Sequence, residues 1–382
     1  MTVRLSPVLR DMAAYPFAEL AATKRRLLAE GADLIDFGAG EPREETPAFI
    51  RRAVAEAIEA EPVSTYPKAD GLPALRAAIA TWVGRRFGTT LDPDTEIVPT
   101  LGSKEAIFGL AQVVGGPGAR IAVTTPGYPV PTRGALFAGA DVVELRLDPA
   151  RGWLPDLDAV DWEGVALLWL NSPNNPTAVA APLGFLVRAA ELARAHGFVV
   201  ACDEAYSELW FAGDAPASAL QVSDRANVVA FNTLSKRSSM PGYRSGFAAG
   251  DAELIAALKR YRPNVGTAPP TFVQRAAITA WGDETHVVET RARYAAKRDV
   301  VLPAFERIGL RRSGGDASFF LWLRVPGDGD AEAFALRLLD ELGIVVAPGP
   351  FFGPGGEGHV RAALVPTLDE CRRAADVLAS WR

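Results

Sequence analysis

Cysteine and histidine are scarce in this chain. Its two cysteines, Cys202 and Cys371, lie far apart and form no CxxC pair. That excludes a disulfide framework and points to a reducing compartment. The three histidines, His196, His286 and His359, stand at no ligand spacing with one another or with a cysteine, so no metal site is expected. Long apolar runs are missing too. Stretches such as Val165–Leu170 fall far short of the roughly 20 residues needed to span a bilayer. The opening MTVRLSPVLRDMAAYPF has no apolar core of the secretion-signal kind, and a cytoplasmic protein without membrane association is expected. No Lys/Arg-rich block is present and the formal net charge is −6, which argues against a nucleic-acid partner. An anionic ligand must therefore be met by local cations and helix ends, not by a global field.

What remains is an ordinary globular composition on a long chain. With 382 residues, 49% of them hydrophobic, a large core and two or three structural units are expected. After an N-terminal arm, a helix is predicted over Phe17–Glu30, ended by Gly31, then a short strand at Leu34–Phe37. Thr46-Pro47 opens a helix over Ala48–Glu59. Beyond residue 90, short apolar runs alternate with amphipathic stretches such as Ala106–Val114 and Leu183–His196, which read as helices. The runs are Glu96–Val98, Arg120–Val123, Val142–Leu145, Val165–Leu170, Phe198–Cys202, Val228–Phe231 and Ser245–Ala248. This is the β-α alternation of a mostly parallel, seven-stranded sheet covered by helices. From residue 285 the texture changes. A long charged helix (Thr285–Ile308), an apolar strand (Ser318–Val325), a helix (Ala331–Leu342), Ile344-Val345-Val346, His359–Val365 and a final helix read as a smaller α+β domain. The expected division is 1–45 for the arm and the start of the small domain, 46–284 for the large domain and 285–382 for the rest of the small one.

Open α/β sheets bind ligands at the carboxyl ends of their strands, and five such ends are unusual. Leu101-Gly102-Ser103-Lys104-Glu105 puts a glycine and a helix start after a strand, which suits a phosphate or, more simply, a helix cap. Tyr128, in Thr125-Pro126-Gly127-Tyr128-Pro129, is placed to stack on a flat ring or to pack a turn. Asn175 follows the fourth run within Asn171–Thr177 and can donate two hydrogen bonds, although Asn and Pro also serve turns. Asp203 ends an apolar run, with Tyr206 three residues on. A carboxylate there needs a cationic partner, unless it is only a helix cap. Lys236 follows Asn232-Thr233-Leu234-Ser235 and precedes Arg237 and Arg244. A lysine forms a Schiff base when burial or neighbouring cations lower its pKa, and Arg237 and Arg244 are the expected cations. Together these ends hold a phosphate cradle, a stacking ring, an amide donor, an acid and an amine nucleophile, the inventory that pyridoxal phosphate requires.

On these residues the sequence resembles the class I/II aminotransferases, the fold-type I family dependent on pyridoxal 5′-phosphate. The resemblance covers essentially the whole chain. It is carried by Gly40-Glu41-Pro42, Tyr66 with Gly71 and Leu75-Arg76, Gly102-Ser103-Lys104, Asn175-Pro176-Thr177, Asp203 to Tyr206, Ser235-Lys236 with Arg244, and Arg361. It implies that Lys236 is the Schiff-base lysine and proton shuttle, and that Asp203 partners the pyridine nitrogen. Asn175 and Tyr206 would bond the 3′ oxygen, and Tyr128 would stack on the ring. Gly102, Ser103, Lys104, Thr233, Ser235 and Arg244 would surround the phosphate, joined by Tyr66 from the neighbouring subunit of a homodimer. Arg361 would grip the substrate α-carboxylate beside Gly40 and Asn175. Two positions depart from the pattern. Thr233 stands where serine is commoner but keeps the hydroxyl. Ala178 replaces the glycine of Asn-Pro-Thr-Gly and would be strained if that position needs a positive φ.

Tyr15-Pro16-Phe17, Thr65-Tyr66-Pro67, Leu234–Ser238, Pro241–Phe247 and Ala280–Glu284 are most similar to the bacterial N-succinyldiaminopimelate aminotransferases of lysine biosynthesis. That implies amino transfer from glutamate to N-succinyl-2-amino-6-oxopimelate. The alternatives are aspartate or aromatic transamination, β-elimination at a C–S bond, a regulator built on the same fold, and a nicotinamide dehydrogenase. The dehydrogenase is disfavoured because no GxGxxG follows a strand and opens a helix.

Overall fold

The structure, a computed structural model, describes residues 3–11, 18–327 and 329–381. Tyr15-Pro16-Phe17, and with it the expected start of the first long helix, lies outside them. The helix is observed over Ala18–Ala29 and leads to a short strand, β1 (Ile35–Asp36).

Seven strands form the large sheet: β2 (Ile97–Thr100), β3 (Arg120–Thr125), β4 (Asp141–Arg146), β5 (Val165–Asn171), β6 (Val199–Asp203), β7 (Val228–Thr233) and β8 (Gly246–Gly250). Their spatial order is β2-β8-β7-β6-β5-β3-β4. All neighbours are parallel except β8, which runs against both β2 and β7. The middle strands are buried along nearly their whole length, while β4 at the edge is half exposed. A strand covered on both faces must be apolar throughout. Along β6, Val200 and Cys202 face a core containing Trp82, Phe198 and Trp281, and Val199 and Ala201 face the opposite core of Ile107, Leu110 and Phe231. Full burial of side chains of this size contributes about 1.5–3 kcal/mol each.

A second sheet has four antiparallel strands in the order β12 (Ala347–Pro348), β13 (His359–Ala363), β10 (Phe320–Arg324) and β9 (Arg311–Arg312). β1 pairs in parallel with β11 (Ile344–Val345) beside it. The helices Thr285–Arg307 and Leu368–Ser380 pack on this sheet, and Ile35 and Phe37 share their apolar core with Phe305, Phe319 and Val360. No helix of the described residues is long and apolar enough to cross a membrane.

Candidate active site

Strand order sets the site. β2, β8 and β7 are adjacent, and Gly246 pairs with both Thr100 and Thr233. The segment 234–245 is thus a loop between antiparallel neighbours, closed by Leu234 N–H donating to Ser245 O at 3.0 Å. Lys236 and Arg244 are pinned to the same strand end, and the helix Gly102–Val114 begins beside them after β2. Next in line stand Asp203 at the end of β6, Asn171 paired with it at the end of β5, and Tyr128 after β3. They open onto one cavity of about 710 Å³. Of the expected residues, Gly40, Ser103, Lys104, Tyr128, Asn175, Asp203, Tyr206, Thr233, Ser235, Lys236, Arg244 and Arg361 all line it.

At one end is a cup for an anion. Gly102 has φ +68°, and a Cβ there would meet Arg244 Nη2 at 2.6 Å. Arg244 itself takes φ +56°, and its guanidinium donates to Leu101 O at 2.9 Å and Pro241 O at 2.8 Å. Thr233 Oγ1 caps the one-turn helix Leu234–Arg237 by accepting from Ser235 N, and stands 2.9 Å from Ser235 Oγ. Hydroxyls, a guanidinium and the N-terminus of a 13-residue helix converge here, which together suit a phosphate.

In the middle, Asp203 is buried, and its Oδ1 accepts from Ala205 N–H at 3.2 Å. Burial pushes its carboxyl up from 3.8 to about 6, against the pull of the Ala205 bond and of Lys236. Burial also raises the Tyr206 hydroxyl, with Asp203 adding to the shift, so it stays a proton donor. The Lys236 amine donates to Gly40 O at 2.8 Å. Its pKa falls to about 8, first from burial and then from Arg361.

At the other end, Arg361 on β13 donates to Asn175 Oδ1 at 3.1 Å and to Gly38 O. Its guanidinium lies over the rings of Phe320 at 4.4 Å and Phe352 at 4.8 Å. Asn175 is itself oriented, because its N–H donates to Asn171 Oδ1 at 2.7 Å and the Asn171 amide donates to Asp203 O at 2.8 Å.

Two expectations change. Arg237 does not act on Lys236. It is fully buried between Trp82 and Trp281 and donates to Ala280 O and Glu284. Successive side chains on a helical turn diverge, so the neighbour in sequence points into the core; the cations that lower the amine are Arg361 and, as expected, Arg244. Ala178 does adopt a positive φ, +60°, in a buried turn, so the strain anticipated for a residue other than glycine is present. That conformation disfavours alanine by roughly 1–2 kcal/mol.

Tyr66 is not brought to the cavity; it is fully exposed on the protomer. Conversely, Asn171, Glu41, Phe351 and the Lys24–Asp36 ion pair line the cavity without having been given a role. Asn171 was within reach, since it ends a strand next to Asp203. Lys24 sits on a helix whose placement over the cavity no local pattern reveals.

Comparison with known proteins accords with this geometry. Residues 32–378 match the family model described as aminotransferase class I and II. The chain is 35% identical over 385 aligned positions to LL-diaminopimelate aminotransferase of Dehalococcoides mccartyi, covering 100% of this chain and 99% of that protein. A crystal structure of an aminotransferase from Neisseria meningitidis superposes with a TM-score of 0.90 at 36% identity, over 99% of this chain and 100% of that one. A probable N-succinyldiaminopimelate aminotransferase from Thermus thermophilus gives 0.88 at 31% identity, over 95% and 98%. The chain belongs to the class I and II aminotransferases, with the fold-type I architecture, and is a transaminase dependent on pyridoxal 5′-phosphate.

The residues present fit that cofactor. Burial holds the Asp203 carboxyl at about 6, and a protonated ring nitrogen would supply the cationic partner that a buried carboxylate needs. At the cup, a side chain on Gly102 would run into the Arg244 guanidinium, so glycine leaves that cation its place beside the helix start.

Proposed function

We propose that this protein moves an amino group from glutamate to N-succinyl-2-amino-6-oxopimelate by a ping-pong transamination. The observation that carries the reading is the meeting of Lys236, Asp203, Tyr206, Asn175 and Arg361 in one cavity at the strand ends.

Arg361 binds and orients the substrate α-carboxylate with its planar fork, with Asn175 and the Gly40 backbone beside it. Asp203 would hold a proton on the cofactor's ring nitrogen. Tyr206 and Asn175 would donate to its 3′ oxygen, and Tyr128 would pack against the ring. Gly102, Ser103, Lys104, Thr233, Ser235 and Arg244 would hold its phosphate. Bound there, pyridoxal phosphate supplies an electron-withdrawing ring for the electron pair left at the substrate α-carbon. Lys236 takes and returns the proton at that carbon. A pKa of about 8 suits the task near neutral pH. Phe320, Phe351 and Phe352 keep that end of the cavity apolar and limit water.

Tyr66, exposed on the protomer, completes the phosphate site of a second copy in a homodimer. Residues 1–45 and 285–382 form a small domain and 46–284 a large one. The shared core of Ile35, Phe37 and Phe305 supports that division. A cytoplasmic setting belongs to the same reading.

A second reading is favoured by the names of the relatives, LL-diaminopimelate aminotransferases; in it, unsuccinylated LL-diaminopimelate is the amine exchanged against 2-oxoglutarate. The test runs the reaction backwards with 2-oxoglutarate and follows glutamate formation from N-succinyl-LL-diaminopimelate, LL-diaminopimelate, aspartate and tyrosine. The first is expected to lead by about tenfold or more in kcat/KM. A lead for LL-diaminopimelate selects the second reading, and a lead for aspartate or tyrosine overturns both.

A further inference from the structure

Lys236 stands on a helix of four residues, Leu234–Arg237. A single turn fixes several dihedrals for one hydrogen bond and does not hold itself. It has to be pinned at both ends. The front end is pinned by Thr233 Oγ1, which accepts from Ser235 N–H at 3.1 Å and donates to Ser245 O at 3.0 Å.

The back end is pinned differently. Ser238 caps the turn, its N–H donating to Leu234 O at 3.1 Å. Its Oγ lies 2.8 Å from His286 Nε2, and His286 Nδ1 lies 2.6 Å from Asp283 Oδ1. The carboxylate accepts a hydrogen bond from Nδ1–H, which leaves the unprotonated Nε2 to accept from the Ser238 hydroxyl. Burial lowers the His286 pKa, and Arg237 adds to this against Asp283, in keeping with a neutral ring. The order serine, histidine, aspartate matches a hydrolase relay, but Ser238 is 0% exposed, His286 is 5% exposed, and neither lines the cavity. No substrate carbonyl can reach that hydroxyl. What the chain does touch is the lysine turn.

The surroundings point the same way. Ser239 has φ +49°, a conformation costing about 1–3 kcal/mol that persists only where neighbours impose it. Its carbonyl accepts from Thr46 Oγ1. Arg237 reaches Ala280 O and Glu284, and Phe49 packs edge-on to the His286 ring at 5.4 Å. Residues 237 and 238 are both gripped by the stretch 280–286, which joins the helix Thr271–Gly282 to the helix Thr285–Arg307.

We propose that the Asp283–His286–Ser238 chain is a positioning relay for Lys236, clamping the back of its one-turn helix and so fixing where the amine stands over the substrate α-carbon. The inference rests on Lys236 acting as assigned above. Ser238 and His286 are positioning residues, since neither touches the reacting atoms.

The test uses the cofactor-loaded enzyme carrying Ser238→Ala, His286→Phe or His286→Gln. Each is read for kcat, for KM with glutamate, for the pH midpoint of the cofactor's visible absorbance band, and for Tm. Small displacements of a reacting group are worth factors of about ten to a hundred. Ser238→Ala and His286→Phe are expected to lower kcat about tenfold, hold KM within about twofold and displace the band midpoint. His286→Gln, which can place an amide near Nε2, is expected to recover most of both. A lower Tm with kcat and the midpoint unmoved in Ser238→Ala overturns the relay. Should His286→Phe not fold, Ser238→Ala, which removes a single oxygen, decides alone. Borohydride fixation on the wild type separates the two levels. Failure to fix the cofactor on Lys236 defeats the functional reading itself, whereas fixation with unaltered variants defeats only the relay.

Discussion

The large and small sheets contribute to the cavity in opposite ways. The large sheet brings residues from six adjacent strands to one edge. Gly102, Arg244, Lys236, Asp203, Asn175 and Tyr128 keep the order of the strands that carry them or lead to them. The small sheet brings one decisive group, Arg361 on β13, framed by Phe320 and Phe352. In the proposed assignment, the groups that hold the cofactor come from one rigid layer, and the group that meets the substrate comes from another.

Lys236→Ala tests the division most severely. With the proton carrier gone, kcat is expected to fall about 10³-fold or more while the protein stays folded, checked by steady-state turnover and circular dichroism. Arg361→Lys probes the other sheet. Losing the planar fork is expected to raise KM for glutamate roughly 10- to 100-fold with a smaller change in kcat. An equal fall in kcat would erase the distinction between the sheets.

Asp203→Asn sharpens the comparison from inside the large sheet. The carboxyl titrates at about 6 in the fold against an ordinary 3.8. Between these values the folded chain keeps a proton that the unfolded chain has released. Stability therefore falls as pH rises from about 4 to 6 and is level above that. Cofactor-free Asp203→Asn is expected to be more stable than wild type by roughly 1–3 kcal/mol at pH 8, the gain shrinking toward pH 5, as read by denaturant melts. Its transamination should be largely lost. In its proposed role, the acid is held there for chemistry, against the interest of the fold.

Much of the large sheet was legible because strands buried on both faces leave unbroken apolar runs. The expected runs fall within about three residues of β2 to β8, and the helices Leu183–His196 and Ala331–Leu342 match their predicted ends. The helix after β2 starts at Gly102, four residues before its expected start at Ala106, because Gly102-Ser103-Lys104 carries no apolar periodicity and reads as loop. The strand ends announced most of the cavity, since a polar residue closing an apolar run is a visible anomaly. Arg361 lacked such a signal and was found only through family resemblance. Lys24 and the Ser238–His286 contact were out of reach, because each joins segments distant in sequence whose meeting depends on how the two layers pack. Arg237 misled for the opposite reason: adjacency along the chain is not adjacency in space when a helical turn intervenes.

Arg361 is already engaged before any substrate arrives, holding the amide oxygen of Asn175 and the carbonyl of Gly38. In the role proposed for Arg361, an incoming carboxylate exchanges neutral acceptors for a charged one instead of meeting a bare cation. Only the difference between the two sets of bonds appears as affinity. The guanidinium is also kept from collapsing onto an anion elsewhere in the cavity. For a catalyst that must release one acid before it can take the next, such shallow capture favours turnover over retention.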